Sequence, residues 1–362
     1  MLRFLLTICF LLGGFNLCQE ANGESAEEIL ESVKDSWRKR SEKCSAVQVS
    51  WRQKVRIFKG AIMSPEFAAE SGLSGIAVSE GVPTEDVDFE FKARLLMQED
   101  WMRYETKLIG VNNDYTLSLQ EYISSFDGDS SRLLTMGHNG KSNSGSIRTE
   151  RYNSDAPSYP LVPITLFLRP LSSTFSRALD IKKLQLIKSD STEQNLIHLR
   201  SKNGIIINDA WNSRQLGGVI THWEQSVKSR GTPSGARRVL SAVIEYAEHP
   251  LLGHVPSSWY VLEFSSSSSQ AVKRYEADEV KIEVIKRMPK SVFSLEFPDG
   301  TEVYDHLEDK SFFVGTDPAN PLVAPDAKQS QSYFRLAVIV INVVCLLLFA
   351  FWVYRHRCEI KK

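Results

Sequence analysis

The chain has 362 residues, with 43 Lys+Arg against 44 Asp+Glu and a formal net charge of −1. A balance this close to zero excludes the long-range positive field of a general nucleic-acid binder. With 42% apolar and 24% charged residues the composition is that of a globular protein, which excludes disorder over the whole length.

In chain order, residues 1–23 read as a secretory signal peptide. Arg3 gives the charged start, Phe4 to Phe15 form an apolar run too short to span a bilayer, and Ala21-Asn22-Gly23 offer small residues for cleavage before Glu24. Leu17 precedes Cys18 where a lipobox takes a small residue, so lipidation is not expected.

Ser25 to Cys44 predicts an amphipathic helix. Ser25 and Glu28 have capping-box spacing, and Ile29, Val33 and Trp37 recur every four residues, with Glu31, Lys34, Asp35, Arg38 and Lys39 opposite. The period then changes to two. Val47, Val49, Trp51, Val55 and Ile57 alternate with Gln48, Ser50, Arg52, Lys54 and Arg56, and Gln53 is the one break on the apolar side.

A second alternation runs through Val87, Phe89, Phe91, Ala93 and Leu95, and a third surrounds Trp101 to Leu108. Phe126-Asp127-Gly128-Asp129 is a hairpin signal between Tyr115–Ser125 and Arg132–Met136. Further strands are expected at 181–188, 195–201, 204–210, 218–225, 239–247, 258–265, 271–286 and 303–314. The apolar run after Pro160 predicts a short helix, and 60–86 and 137–160 read as long loops.

The C-terminal end predicts a membrane anchor. A Pro-containing stalk is expected over 315–333 and a transmembrane helix over 334–354, its apolar run extending from Leu336 to Tyr354. Arg355, Arg357, Lys361 and Lys362 in the tail 355–362 place that end in the cytoplasm. The expected location is therefore a cell membrane crossed once, with residues 24–314 periplasmic or otherwise extracytoplasmic. Cys44 is the one cysteine expected in that domain, and no Asn-x-Ser/Thr site occurs there, which suits a bacterial envelope protein.

Catalytic patterns are few. Gly140-Lys141-Ser142 lacks the earlier glycine of a phosphate loop, since position 135 is Thr. Ser71-Gly72-Leu73-Ser74-Gly75 is not a nucleophile elbow, and neither His-Glu-x-x-His nor Cys-x-x-Cys occurs. His249, His254 and His306 read as loop and turn histidines, and Cys44 as a buried small hydrophobe. No enzyme activity, catalytic residue, metal or cofactor is expected. Arg52, Lys54 and Arg56 form a basic stripe, read either as a contact for anionic headgroups or as a charged exterior.

The leading helix followed by a long sheet resembles the lipoprotein-carrier fold, the LolA/LolB-like family. Val255-Pro256-Ser257-Ser258-Trp259 and the ending Phe297-Pro298-Asp299-Gly300-Thr301-Glu302-Val303-Tyr304-Asp305 resemble larger, uncharacterised LolA-like envelope proteins. The resemblance covers residues 25–314. It implies an α+β fold: an N-terminal amphipathic helix packed on a long curved antiparallel β-sheet, a half-open barrel, with the C-terminal transmembrane helix added. It also implies non-catalytic binding of a lipid or lipoprotein acyl group between helix and concave sheet. Val47, Val49, Trp51, Phe89, Phe91 and Trp101 either line that hydrophobic cavity or pack as core, and Phe67 and Ile76 mark its lid loop. The alternative is an envelope sensor or interaction module that binds a membrane protein partner through the same fold.

Overall fold

The computed structural model describes residues 24–64, 81–112, 115–137, 142–149, 159–172, 178–187, 196–228, 235–265 and 270–315. They belong to two compact units. The larger takes the chain up to Leu133 and Thr149–Leu295; the smaller takes Leu134–Arg148 and the chain from Glu296 on.

The larger unit opens with α1 (Ala26–Lys43). The Ser25 hydroxyl accepts from the Glu28 N–H at 3.2 Å, and the Glu28 carboxylate accepts from the Ser25 N–H at 2.7 Å. Two of the orphan donors at the helix start are thereby satisfied. Hydrogen bonding from the Ser25 backbone N–H first, and from its side chain second, holds the Glu28 carboxyl below the usual range. Val33 and Trp37 carry the apolar stripe into the core, while Glu31–Lys34, Asp35–Arg38 and Asp35–Lys39 pair on the wet side.

Fifteen strands follow among the described residues. They are β1 (Ala46–Ile57), β2 (Val87–Gln98), β3 (Trp101–Val111), β4 (Leu117–Phe126), β5 (Ser131–Thr135), β6 (Ser144–Arg148), β7 (Gln185–Ile187) and β8 (Leu196–Asn203). Then come β9 (Ile206–Ser213), β10 (Val219–Lys228), β11 (Ala236–His249), β12 (Gly253–Phe264), β13 (Ala271–Val284), β14 (Glu302–Asp305) and β15 (Lys310–Phe313). In the larger unit the order is β4-β3-β2-β1-β13-β12-β11-β10-β9-β8-β7, every neighbouring pair antiparallel. The Asp127 carboxylate accepts from the Asp129 and Ser130 N–H groups, so the Asp-Gly sequence closes the turn after β4.

A second helix, α2 (Val162–Leu168), lies between β6 and β7 in the chain. Pro163 sits in its first turn, where a missing N–H costs nothing, and Pro163 to Leu168 are all buried. Two buried arginines serve the helix ends. Arg40 Nε donates to the Phe167 carbonyl at 3.0 Å and Nη2 to that of Gly218 at 3.2 Å. Arg169 Nη2 donates to the carbonyls of Cys44 (2.6 Å) and Ser45 (3.1 Å), and Nη1 to that of Leu168 (2.9 Å). Burial pushes both guanidinium pKa values down, yet a group that starts above 12 stays charged. These cations complete the carbonyls that the ends of α1 and α2 leave unpaired.

The outer face of β1 is ion-paired. Asp278 accepts from Arg52 Nε at 2.6 Å, Arg52 Nη2 at 3.0 Å and Lys54 Nζ at 2.9 Å, and Asp88 binds both ends of Arg56 at 2.8 Å. The expected basic stripe is thus matched by carboxylates. Arg52 foremost, then Lys54, holds the Asp278 carboxyl below its ordinary value. A folded-state pKa below the unfolded one stabilises at pH above the unfolded value, and that gain is lost as pH falls through the folded value. Asp278→Asn should therefore flatten the acid limb of the stability curve below about pH 4 and leave neutral pH changed only slightly, because the pair is half-exposed. Urea titrations at stepped pH check this; an unaltered acid limb would show that the pair contributes nothing.

In the smaller unit β14 runs parallel to β6, with Glu302 opposite Ser144 and Asp305 opposite Ile147, and forms an antiparallel hairpin with β15. Gly145 is required there: a Cβ would meet the Phe297 ring at 2.7 Å.

Two expectations are corrected. Among the described residues the fold is not a single helix on an antiparallel half-barrel. The described chain is mostly sheet, antiparallel in the larger unit and with a parallel pair, β6–β14, in the smaller, together with two short α-helices. The parallel pair escaped the sequence reading because β6 falls within 137–160, which reads as a loop, and β14 and β15 both fall on 303–314, which reads as one strand. The single-pass membrane location is corrected as well, because among the described residues no helix is long and apolar enough to cross a bilayer. The helix α2, at about 1.5 Å per residue, is far shorter than a hydrocarbon core of about 30 Å, and α1 carries charges along its length. The expected signal 1–23, span 334–354 and tail 355–362 lie outside the described residues, as does the stalk beyond Gly315.

Candidate functional site

The inner face of β1 presents Val47, Val49, Trp51, Gln53, Val55 and Ile57 in turn. The first three join Val33 and Trp37 of α1 and Ile164, Leu166 and Phe167 of α2 in one continuous core. Trp51 stacks on Tyr104 with ring centroids 6.0 Å apart and meets Trp259 at 5.4 Å. Beyond Trp51 the packing changes. Val55, Ile57 and Phe91 form a separate cluster with half-buried Phe89, Ile109, Leu117, Leu119 and Tyr275.

A cavity of about 140 Å³ opens at this point. Its walls are Val55 and Ile57 from β1, Phe91 from β2, and Tyr104, Thr106, Leu108 and Ile109 from β3. Tyr275 and Lys273 of β13, with Ile62 and Pro160, complete it. Gln53, the break in the apolar alternation, lies in its floor. The residue is 1% exposed and fully engaged: Trp51 Nε1 donates to its Oε1 at 2.8 Å, and its Nε2 donates to the carbonyls of Glu276 (2.8 Å) and Lys54 (3.1 Å). A buried amide satisfied on both sides fixes the floor without offering a free polar group.

On the β13 wall two polar groups share one carboxylate. Tyr275 OH donates to the Glu263 carboxylate at 3.2 Å, and Lys273 Nζ lies 3.8 Å from the same oxygen. Burial pushes the Tyr104 and Tyr275 phenols well above their ordinary value, with Glu263 adding to the rise at Tyr275. Both therefore remain neutral at physiological pH.

The sheet itself divides beside the cavity. β2 is paired with β1 from Val87 to Gln98, and β3 with β4 from Met102 to Val111. Between β2 and β3, however, pairing stops at Arg94 and Glu105, five residue pairs from the turn. Val87–Ala93 and Thr106–Val111 thus face each other without a ladder.

The structure distributes the sequence-based candidates among three places. Phe91 lines the cavity and Phe89 lies beside it; Val47, Val49 and Trp51 are core under the helices. Trp101 sits on the opposite face with Phe293 (5.6 Å between ring centroids), in a small cluster with Ala46, Leu96 and Met288. Phe67 and Ile76 lie outside the described residues. Sequence reasoning did not single out Tyr104, Leu108, Ile109 and Tyr275. Their strands were legible, but the place where the sheet divides was not.

Other candidate groups have structural work. Cys44 is fully buried, and burial pushes its thiol up, away from nucleophilic use. His249 Nδ1 accepts from the Leu251 and Leu252 N–H groups in the turn after β11. Among the described residues no three His, Cys, Asp or Glu side chains group as cation ligands.

No family profile matches the chain, and no curated protein matches its sequence. Solved structures do. A LolA superfamily protein from Nitrosomonas europaea aligns with 73% of this chain and 98% of its own, at 10% identity and a TM-score of 0.39. A DUF1329 family protein from Desulfovibrio piger aligns with 73% of this chain and 97% of its own, at 10% identity and a TM-score of 0.34. The family named from the sequence is thus among the solved structures matched, at low identity and low TM-score.

Proposed function

We propose that the protein binds an acyl chain, carried by a lipid or a lipoprotein, without catalysing a reaction. The observation that carries this reading is the cavity of about 140 Å³ walled by Val55, Ile57, Phe91, Leu108 and Ile109. Its floor amide is saturated and aliphatic and aromatic side chains make up most of its walls, so its main offer is apolar contact. A space of this size holds about five methylene-sized groups at roughly 30 Å³ each. Burying them is worth about 4 kcal/mol, a Kd near 1 mM. Firm binding therefore requires the chain to extend beyond the enclosed volume.

The test is titration of the full-length protein with 1-dodecanol and dodecanoate by calorimetry, together with the variant Leu108→Trp. Leu108 is half-buried on the cavity wall and packs against the edge of the main core, so an indole there fills the space. Wild-type protein should bind, and Leu108→Trp, shown folded by near-ultraviolet circular dichroism, should bind at least about tenfold more weakly. A folded wild-type protein that ignores both ligands would overturn the reading and favour the interaction-module alternative.

A further inference from the structure

The break between β2 and β3 has a cause in the side chains. Continuing their register two pairs past Arg94 and Glu105 would set Lys92 directly opposite Lys107. Both lie on the outer face, and like charges directly opposite one another destabilise an antiparallel pair. The flanking ladders, β1–β2 and β3–β4, continue past this level, so the opening is confined to one pair of strands.

The cavity is lined from both sides of the opening. Phe91 on one strand and Leu108 and Ile109 on the other give it apolar walls, and Lys107 lines the cavity as well. On the outer face of β2 the carboxylates are already engaged, Asp88 by Arg56 (2.8 Å) and Glu90 by Arg52 (3.7 Å). Among the described residues Lys92 forms no ion pair. Lys107 is held by Glu121 at 3.1 Å, an exposed pair of the kind that yields readily to a competing anion. Two cations therefore flank the mouth of an apolar slot.

Resting on the acyl-chain reading, we infer that the ligand is an anionic amphiphile. Its chain passes between β2 and β3 into the cavity, and its carboxylate or phosphate lies across Lys92 and Lys107. This arrangement supplies the contact outside the enclosed volume that firm binding needs. The two lysines act twice, holding the strands apart and marking the charge of the head.

The experiment uses full-length protein, three probes with the same chain (dodecanoate, 1-dodecanol and dodecylamine) and two variants, at exposed Lys92 and half-buried Lys107. Wild-type protein should bind dodecanoate about tenfold more tightly than 1-dodecanol, the effect of two partly exposed ion pairs. The double variant Lys92→Glu/Lys107→Glu keeps like charges across the opening and reverses their sign. It should reverse the preference, so that dodecylamine binds more tightly than dodecanoate. Lys92→Glu alone places opposite charges across the slot; it should slow amide exchange over 106–111 and weaken all three probes together. If dodecanoate and 1-dodecanol bind alike in wild-type and double-variant protein, the headgroup assignment is overturned while the cavity reading stands. If no probe binds wild-type protein, the cavity reading fails and this inference fails with it.

Discussion

Replacing Arg169 with methionine should lower the stability of the protein by about 4 kcal/mol, read as a fall in the urea midpoint at unchanged slope. The methionine keeps most of the buried stem, so little of the loss is packing. What disappears is a donor set shared by the carbonyls of Ser41, Cys44, Ser45 and Leu168. Each buried carbonyl left without a partner costs about 1–3 kcal/mol. Lysine at this position provides one charged point instead of a planar fork, so Arg169→Lys should recover less than half of the loss. A fall below about 1 kcal/mol for Arg169→Met would mean that water reaches these carbonyls in place of the guanidinium.

Trp37→Ala should cost about as much, roughly 4 kcal/mol, by a different route. The indole is fully buried where α1 meets the sheet, and its Nε1 donates to the Gly218 carbonyl at 2.9 Å. The same oxygen also accepts from Asn212 Nδ2 (2.9 Å) and Arg40 Nη2 (3.2 Å), so it ties α1 to the start of β10. Gly218 has φ +77°, and a Cβ there would stand 2.3 Å from Ser36 Oγ. No other residue type brings this carbonyl so close to the helix. Trp37→Phe separates the contributions: it retains most of the apolar area and should lose only about 1–2 kcal/mol. If phenylalanine proved as damaging as alanine, the hydrogen bond and not the packing would be the larger part.

The elements of the larger unit were mostly legible because their signals are local. Ser25 and Glu28 announce the start of α1, and the alternation from Val47 to Ile57 fixes the inner face of β1. Even the interruption at Gln53 was visible, although its reason, a Trp51 indole on one side and the Glu276 carbonyl on the other, depends on pairing with β13. Trp101 shows where local reading fails. Trp101 and Met102 are both apolar, so alternation cannot say which faces inward; Met102 does, and Trp101 is covered by the segment around Phe293, nearly 200 residues later in the chain. The cavity belongs to the same class. It lies beside the place where a ladder stops at Arg94 and Glu105, and the Lys92–Lys107 opposition there appears only once the register is known. The buried arginines were hidden for a similar reason, since their partners are backbone carbonyls, which no side-chain pattern records.

The place of β1 in the sheet also has a cost in time. Its neighbour β13 is made late, as the Arg52–Asp278 contact spans 226 residues. At the usual rate of about 5–20 residues per second, β1 leaves the ribosome roughly 10–45 s before that neighbour exists. For that interval an alternating apolar strand presents an unsatisfied edge to whatever it meets, which is the condition under which nascent chains associate wrongly. The yield of active protein in any host will depend on what shelters that edge until β13 arrives, more than on the final stability of the sheet.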